Sequence, residues 1–263
     1  MNPVPPPPFA RGSSRFSLDG QVAVVTGGRR GLGRAMAGGL AEAGADVAVI
    51  AASADPGDVE ADVRAHGRRF CYLQADLCVA DQRRGLIDRV AECLGRVDIL
   101  VNNAGLQRRG AAIDYGQDAW HADLELLLSA VLDLSQQAAR VMIRQGRGKI
   151  VQIASISSFQ GARQIVGYAT AKHGLVGLTK CLANEWAGQG INVNAIAPGI
   201  FQTEMADHVT SDPRKTAELL GRVPSGRFGA PDDLIGPVVF LASEASRHVH
   251  GAVLLVDGGW MGR

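Results

Sequence analysis

The stretch that decides the fold is Gln21–Gly33, which reads QVAVVTGGRRGLG. Its first part, Gln21–Thr26, is an apolar strand candidate that runs directly into a glycine-rich turn, and the helical periodicity of Leu32–Ala43 follows at once. Glycine lets the backbone turn tightly and come close to a pyrophosphate, and the unpaired N–H groups of a helix start favour an anion. This strand–turn–helix unit therefore predicts a phosphate-binding loop.

Short apolar runs alternate with longer amphipathic stretches along the rest of the chain. The runs are nearly continuous in their apolarity, as expected of strands that are buried on both faces of a parallel sheet. Strand–helix alternation of this length is typical of βαβ units. The sequence therefore predicts an α/β fold: a Rossmann-type doubly wound parallel sheet of about seven strands, with helices on both faces. The strand candidates are Gln21–Thr26, Asp46–Ile50, Arg69–Gln74, Asp98–Val101, Lys149–Ala154, Asn192–Ile196 and Val253–Val256. The helical stretches are Leu32–Ala43, Val59–His66, Ala80–Leu94, Trp120–Gln145 and Tyr168–Gly188.

Length and composition place limits on the class of protein. The chain has 263 residues, 46% of them hydrophobic, and its 27 basic and 26 acidic residues leave a net charge of +1. This balance argues against a nucleic-acid or membrane-surface binder, and four cysteines are too few for a disulfide scaffold. We find no apolar run near the ~18 residues that a membrane span needs and no signal-peptide pattern, and we expect a cytoplasmic protein.

We expect one domain with two less regular parts. Residues 1–16, with the proline run Pro5–Pro8, are predicted to be a disordered arm, and residues 17–263 to form a single domain. The strand–helix rhythm breaks at residues 203–228, where Thr203–Thr210 and Arg214–Leu220 have helical patterns. This segment is predicted to be a flexible lid over a site, although an ordinary surface excursion is the alternative.

Further motifs follow the later strand candidates. They are Asp76, Asn102–Gly105 (NNAG), Ser155 with Tyr168 and Lys172, Pro198–Gly199, and Val256–Gly259 (VDGG). With the TGxxxGxG spacing of Thr26–Gly33, this order of motifs resembles the classical short-chain dehydrogenase/reductase family over about Leu18–Arg263. The resemblance implies a nicotinamide-dependent oxidoreductase that acts on CH–OH groups.

The resemblance also implies where the cofactor binds. Asp76 would face the adenine, the Asn103–Gly105 turn would line the cofactor, and Ile200 and Thr203 would hold the nicotinamide amide and the pyrophosphate. The full predicted cofactor-binding set is Gly27, Arg29, Arg30, Gly31, Leu32, Gly33, Ser53, Asp76, Leu77, Asn103, Ala104, Gly105, Tyr168, Lys172, Pro198, Gly199, Ile200 and Thr203.

The choice of cofactor depends on the residues after the second strand candidate. A carboxylate there would bind the ribose 2′-OH of NAD and repel a 2′-phosphate, but Ile50–Ser53 reads IAAS and the first acid is Asp55. Arg29 and Arg30 lie inside the glycine loop, where a basic residue in the family accompanies NADP, and the Ser53 hydroxyl can donate to a phosphate. We expect NADP(H) to be favoured, with NAD(H) as the alternative and both arginines then solvated.

Ser155, Tyr168 and Lys172 are the predicted catalytic residues. Tyr168 and Lys172 lie four residues apart in a helical stretch, so they share one helix face. A tyrosine with its usual pKa of about 10 is a poor acid or base at neutral pH, but a nearby ammonium group favours the phenolate. Ser155 ends the fifth strand candidate, where its hydroxyl can stabilise charge that develops on a substrate oxygen.

One residue of the family's catalytic tetrad is missing. The family places an Asn seven residues after a Trp, where it holds a helix kink and orients a water that relays protons to the Lys. Counting from Trp120, that position is Leu127, and a leucine can do neither. Ser129 is the nearest polar residue, but a helix turns it well away. We therefore expect an active but slow enzyme.

Within the family, several stretches are most similar to sugar-acid dehydrogenases of the gluconate and 2-keto-3-deoxygluconate type. These are Asn102–Arg109, Ser155–Gly161, Ala183–Ala187 and Gly236–Ala242. A sugar acid carries a carboxylate, for which arginine is the natural bidentate partner. We expect substrate to contact Ser155 and at least one of Arg108, Arg109 and Arg163, although each arginine can instead be a solvated charge or part of an intersubunit pair.

Other functions remain open at this level. A 3-oxoacyl or general carbonyl reductase would use the same chemistry, and a catalytically impaired cofactor-binding sensor has Leu127 as its only support. The histidines and cysteines show no metal-ligand spacing, so we expect no metal. In the family the Leu-rich face of Leu124–Leu134 often forms a subunit interface, and this implies a dimer or tetramer.

Overall fold

The computed structural model describes residues 15–204 and 212–262. Within these residues, seven parallel strands form one sheet in the order β3-β2-β1-β4-β5-β6-β7. The predicted doubly wound sheet is therefore confirmed, with strand ends that differ from the prediction by two residues or fewer. The strands are β1 (Val22–Thr26), β2 (Asp46–Ala51), β3 (Phe70–Gln74), β4 (Ile99–Asn102), β5 (Gly148–Ile153), β6 (Ile191–Pro198) and β7 (Val253–Val256).

The sheet is covered by helices on both faces. The described α-helices are α1 (Gly31–Glu42), α2 (Val59–Ala65), α3 (Ala80–Arg83), α4 (Leu86–Leu94), α5 (Gln117–Leu124), α6 (Ala130–Gln145), α7 (Val166–Trp186), α8 (Pro213–Leu220) and α9 (Ile235–Ala242). Side chains of a strand alternate between the two faces of its sheet. In β1, Val22 and Val24 pack with α4 and α6, whereas Ala23 and Val25 pack with α1 and α9. Both faces of β1 are buried, which explains its continuous apolarity.

Apart from shifts of one or two residues at helix ends, two of the predicted helices differ from those observed. The predicted Ala80–Leu94 helix divides into α3 and α4 because Gly85 adopts a left-handed conformation with φ of +66°. The predicted Trp120–Gln145 helix begins earlier, at Gln117, and contains a π-helical turn, Glu125–Ser129, between α5 and α6. A π turn adds a residue to the helix locally and is frequently found at functional sites.

A buried arginine holds this π turn from outside the helix. The Arg83 guanidinium lies 2.6 Å from a carboxylate oxygen of Glu125 and 2.9 Å from one of Asp133. It also donates a hydrogen bond of 2.5 Å to the carbonyl oxygen of Leu77. Glu125 begins the π turn and Asp133 lies in α6, four residues after the turn ends, so Arg83 bridges the π turn.

The continuous helical segment Gln117–Gln145 is long and apolar enough to cross a membrane by length and composition alone, whereas the sequence analysis found no apolar run long enough for a membrane span. Half of its most apolar window is buried inside the protein. Side chains of α6, among them Leu134 and Met142, belong to the apolar core on one face of the sheet. Packing in this core explains why the helix is so apolar.

The two irregular parts of the chain are only partly described. Residues 1–14 of the predicted arm and residues 205–211 of the predicted lid lie outside the described residues. Within the predicted lid, helix α8 corresponds to the predicted Arg214–Leu220 helix and begins one residue earlier, at Pro213. The Asp212 carboxylate caps it by accepting hydrogen bonds from the backbone N–H groups of Arg214 (3.0 Å) and Lys215 (3.4 Å). That the segment moves as a lid stays a prediction.

Candidate active site

The carboxyl ends of the four central strands bring the predicted motifs together. In the sheet order, β1, β4, β5 and β6 are neighbours, and they end at Thr26, Asn102, Ile153 and Pro198. The glycine loop, the NNAG turn, Ser155 and Gly199 follow these strands directly. Parallel strands end at the same edge of the sheet, and β1 beside β4 is the point where the strand order reverses. Open α/β sheets bind ligands in the crevice at such a point.

The glycine loop has the backbone geometry of a phosphate site. Gly27 and Gly31 adopt left-handed φ angles of +65° and +55°. A Cβ at Gly33 would overlap the carbonyl oxygen of Gly27, so only glycine allows α1 to pack this closely on the loop. Among the described residues, α1 has no side-chain cap and no acid in its first turn. Its first N–H groups are therefore available to an anion.

Asn103 and Thr26 tie the NNAG turn to the glycine loop. The Thr26 hydroxyl oxygen accepts hydrogen bonds of 3.0 Å from the backbone N–H groups of Asn103 and Ala104. The Asn103 side-chain amide donates in return to the carbonyl oxygens of Thr26 (2.9 Å) and Gly27 (3.2 Å). The first asparagine of the pair, Asn102, is buried and donates to Ser135 and Gln152. The two asparagines thus lock three neighbouring segments at the strand ends.

The arginines of the glycine loop lie where the sequence analysis expects the ribose end of the cofactor. Arg29 donates to the Asp55 carbonyl oxygen (2.8 Å) and carboxylate (3.1 Å), in the loop after β2. Arg30 forms an exposed ion pair with Glu204. Ser53 accepts a hydrogen bond of 3.2 Å from the backbone N–H of Asp55. Arg29 of the glycine loop and Ser53 of the loop after β2 therefore both bond to Asp55, and this acid, the one nearest to β2, is already paired.

The other predicted cofactor residues border the same crevice. Thr203 lies against the glycine loop, with its methyl group 3.8 Å from the position of a Cβ on Gly31. A Cβ at Gly199 would come within 2.8 Å of the Asp257 backbone, so glycine is needed there. Asp76 is exposed after β3, whereas the side chain of its neighbour Leu77 is buried in the apolar core and the Leu77 carbonyl oxygen accepts from Arg83.

Ser155 is held rigidly at the end of β5. It caps a short 3-10 turn, Ile156–Ser158, by accepting a hydrogen bond of 3.0 Å from the backbone N–H of Ser157. Its own N–H donates to the Ser158 hydroxyl at 3.3 Å. This reciprocal capping box fixes the position of the Ser155 hydroxyl next to Tyr168.

Tyr168 and Lys172 are buried on one face of α7. The Lys172 ammonium donates a hydrogen bond of 2.5 Å to the carbonyl oxygen of Ile153 and lies 5.7 Å from the centre of the Tyr168 ring. Burial raises the pKa of Tyr168, although a hydrogen bond with Ser155 acts against this, and burial lowers the pKa of Lys172 to about 8. The three predicted catalytic side chains are therefore neighbours at a site where a proton can be given to or taken from a substrate oxygen.

Leu127 fills the space beside Tyr168. It is buried in the π turn and packs with Ile165, Tyr168 and Ala171. Its Cδ2 atom lies 3.0 Å from the position of a Cβ on Gly105. Ser129 is exposed, so no polar side chain of the π turn replaces an asparagine toward Tyr168 within the described residues. The helix keeps an irregular turn at this position although the residue is a leucine.

The structure places the three predicted substrate arginines differently. The Arg108 guanidinium donates a hydrogen bond of 2.6 Å to the carboxylate of Asp123. Arg109 is exposed in the same loop. Arg163 lines a surface cavity of about 490 Å³ together with Ala169 and His173 of α7. These α7 residues lie on another side of the helix from the buried Tyr168. Substrate binding by these arginines stays a prediction.

The site also contains a residue that sequence analysis missed. Asp123, in α5, is fully buried and lies against Gly167, which directly precedes Tyr168. The signal in the sequence was an acid four residues before Leu127, on a helix face that also carries the apolar Trp120 and Leu124.

Replacing Lys172 by Met should change how stability depends on pH. Because burial lowers the pKa of Lys172 to about 8, the folded protein binds fewer protons than the unfolded chain between pH 8 and the usual lysine pKa of about 10.4. The buried amine therefore destabilises the fold below pH 8, on the order of a few kcal/mol, and this loss disappears as the pH rises to about 10. We expect the free energy of unfolding of Lys172→Met, minus that of wild type, to fall from pH 7 to pH 10 in denaturant titrations.

The exposed Lys180 of the same helix offers a matched control. Lys180→Met removes a lysine of the same helix without emptying a buried site. If the difference from wild type changes with pH by the same amount in both variants, or does not change with pH in Lys172→Met, the Lys172 ammonium is not destabilised by its surroundings.

Comparison with known proteins agrees with this geometry. The family model described as enoyl-(acyl carrier protein) reductase matches residues 27–261. The chain is 48% identical to the 2-dehydro-3-deoxy-D-gluconate 5-dehydrogenase of Escherichia coli (strain K12), over 95% of this chain and 99% of that protein. It is 40% identical to the gluconate 5-dehydrogenase of Gluconobacter oxydans, over 93% and 96%.

A solved structure is also similar to nearly the whole chain. The gluconate 5-dehydrogenase from Burkholderia cenocepacia, crystallised in complex with NADP and tartrate, has a TM-score of 0.91 and 38% identity, and the match covers 95% of this chain and 99% of that one. The resemblance inferred from the motifs is confirmed. The chain belongs to the short-chain dehydrogenase/reductase family and is an oxidoreductase of the kind that acts on CH–OH groups.

Proposed function

We propose that the protein transfers a hydride between NADP(H) and a hydroxyl or ketone carbon of a sugar acid of the gluconate or 2-keto-3-deoxygluconate type. The observation that carries this proposal is the meeting of Ser155, Tyr168 and Lys172 at the strand ends beside the glycine loop. The sugar-acid dehydrogenases among its relatives match nearly the whole chain.

In this reaction the residues have separate roles. Tyr168 takes the proton of the substrate hydroxyl during oxidation and returns it during reduction. Ser155, fixed by its capping box, donates a hydrogen bond to the substrate oxygen while negative charge develops there. Lys172, when protonated, favours the Tyr168 phenolate and can hold a ribose hydroxyl of the cofactor. The nicotinamide, when bound, supplies or accepts the hydride.

A panel of substrates tests the reaction class. The purified protein is incubated with sugar acids or with 3-oxoacyl thioesters, and nicotinamide absorbance is followed. We expect turnover of a sugar acid. Turnover of only the thioesters or of simple ketones would favour the carbonyl reductase, and cofactor binding with no turnover of either group would favour the sensor. The same panel with Tyr168→Phe should lose turnover by about 100-fold or more.

The pocket after β2 fits NADP(H) better than NAD(H). The strand ends at Ala51, and within the described residues no unpaired carboxylate follows it before the Arg29–Asp55 pair. Arg29 bonds to Asp55 of this loop, and Ser53 lies in the loop itself, so both side chains can contact a 2′-phosphate. The NADP of the Burkholderia enzyme is consistent with this choice.

An acid placed at the end of β2 should reverse the cofactor preference. Ala51→Asp puts a carboxylate where it can accept from a ribose 2′-OH but repels a 2′-phosphate. We expect calorimetric titration to show NADPH binding weakened by about tenfold or more, with NADH binding equal or tighter. Ala51→Asn is the matched control for size. Equal losses with both variants, or wild-type NADPH affinity no better than NADH affinity, would contradict the assignment.

We further propose that an arginine near the cleft binds the substrate carboxylate. The candidates are the three predicted arginines: Arg108 and Arg109 lie in the loop after β4, where Arg108 donates to Asp123, and Arg163 lines a cavity on another side of α7. The tartrate in the Burkholderia structure, a hydroxy acid, is consistent with a carboxylate-binding cleft in that relative.

Alanine variants at Arg108, Arg109 and Arg163 test this assignment. Loss of a charge-assisted hydrogen bond costs about 1.5–3 kcal/mol, so we expect kcat/KM for the best sugar acid to fall by roughly 10- to 100-fold in at least one variant, mainly through KM. The corresponding neutral sugar is the control, because its turnover does not depend on a carboxylate partner. Unchanged kcat/KM in all three variants would remove the arginines from substrate binding.

Two finer assignments belong to the same proposal. We infer a homo-oligomer, a dimer or tetramer, because β7 is an edge strand whose Leu255 is exposed. We infer a cytoplasmic location because all four cysteines are free thiols, as in a reducing compartment. Light scattering of the purified protein and cell fractionation test the two assignments.

A further inference from the structure

A buried carboxylate joins three segments next to the catalytic helix. The Asp123 side chain has no exposed surface. Its Oδ1 atom accepts a hydrogen bond of 2.6 Å from Arg108, in the loop after β4, and its Oδ2 atom accepts one of 2.5 Å from the Tyr115 hydroxyl. Burial, together with this acceptor, raises the pKa of Tyr115 to about 12, so its hydroxyl stays a donor at neutral pH. A buried carboxylate is tolerated only with such partners.

This carboxylate lies at the start of α7. The helix begins at Val166, and a Cβ on its second residue, Gly167, would overlap Asp123 Oδ2. The first N–H groups of a helix have no partner within the helix, and its N-terminus carries partial positive charge. Within the described residues, α7 has neither a side-chain cap nor an acid in its own first turn. The Asp123 carboxylate of α5 is the acidic group that lies against this helix start.

The helical segment that carries Asp123 also contacts Tyr168 itself. Leu127 lies four residues after Asp123 and packs directly against Tyr168. The α5 segment and the π turn thus contact the residue before Tyr168 through a carboxylate and Tyr168 itself through an apolar side chain. The Arg108 loop is joined to the segment before α7 as well, since the Gly110 N–H donates to the Gln164 carbonyl oxygen at 3.0 Å.

We propose that Asp123 is a positioning residue: its carboxylate, placed in the space that Gly167 leaves free, orients the first turn of α7 and hence Tyr168, and holds Arg108 at the cleft. The inference rests on the catalytic role of Tyr168 in the proposed function. It gives Gly167 a role as well, because any side chain there would displace the carboxylate.

A double-mutant cycle on Asp123 and Gly167 tests this proposal. Asp123→Ala removes the carboxylate, and Gly167→Ala displaces it. We expect each single variant to lower kcat by about tenfold or more, with NADPH affinity changed by less than about threefold, and the double variant to be no slower than Asp123→Ala. Asp123→Asn, which keeps the shape but loses the charge, should also lower kcat. Multiplied losses in the double variant, or kcat of Asp123→Ala within about twofold of wild type, would overturn the proposal.

Asp98 supplies a matched control. It is also a buried carboxylate paired with arginines, Arg96 at 2.6 Å and Arg147 at 3.3 Å. It precedes β4, however, and so lies at the amino ends of the strands, away from the site at their carboxyl ends. Asp98→Asn should lower the melting temperature and leave kcat unchanged. If it lowers kcat as much as Asp123→Asn does, the effect of Asp123 is only general destabilisation and the proposal fails.

Hydrogen exchange separates this proposal from the reaction assignment. In Asp123→Ala, the backbone amides at the start of α7 should exchange at least about tenfold faster than in wild type, whereas in Asp98→Asn they should not. If wild type turns over no sugar acid, the proposed function fails, but the exchange rates still decide whether Asp123 orders the helix start. Unchanged exchange in Asp123→Ala would overturn the positioning role.

Discussion

The hydrogen bonds between Thr26 and the Asn103–Ala104 turn are the constraint on which the rest of the site depends. They join the ends of β1 and β4, the two neighbours between which the order of the sheet reverses. At that point the crossover connections leave in opposite directions, so the crevice is covered by neither and a ligand can enter. Because the same bonds fix the glycine loop against the neighbouring strand end, the start of α1 is held at the same edge of the sheet as Ser155, which follows β5.

Burial shapes the chemistry at this crevice. It raises the pKa of Tyr168 and lowers that of Lys172, so it opposes the charged form of both catalytic groups. In a buried site, however, water screens little, and each charge has a larger effect on its neighbours than at the surface. The proton on Tyr168 therefore depends strongly on which charges are next to it. Such a site can switch between acid and base roles during one catalytic cycle, while the Ser155 hydroxyl stays fixed by the backbone.

Much of the fold follows from the sequence because the strands are short, apolar and buried on both faces. The fully buried run Val22–Thr26 is an example, as is the glycine loop, whose spacing is tied to local backbone geometry. The π turn at Glu125–Ser129 was missed because one inserted residue barely changes an apolar pattern over so few positions. The partner of Arg108 was missed for another reason. In the sequence, an arginine that is available to bind substrate cannot be distinguished from one that is paired with a buried acid. Only tertiary packing shows that Asp123 lies beside Arg108.

The structure gives a physical explanation for the leucine at position 127 that the sequence alone does not provide. An asparagine would be needed there if it alone kept the helix irregular, but in this chain Arg83 bonds to Glu125 at the start of the π turn and to Asp133 in the helix after it. The turn can therefore persist with an apolar residue, and Leu127 uses the position to pack against Tyr168. The polar group on this helix face lies one turn earlier, at Asp123, and the absence of a side chain on Gly167 makes room for it. Support of the catalytic tyrosine is thus divided between an apolar contact and a buried carboxylate that pairs with Arg108.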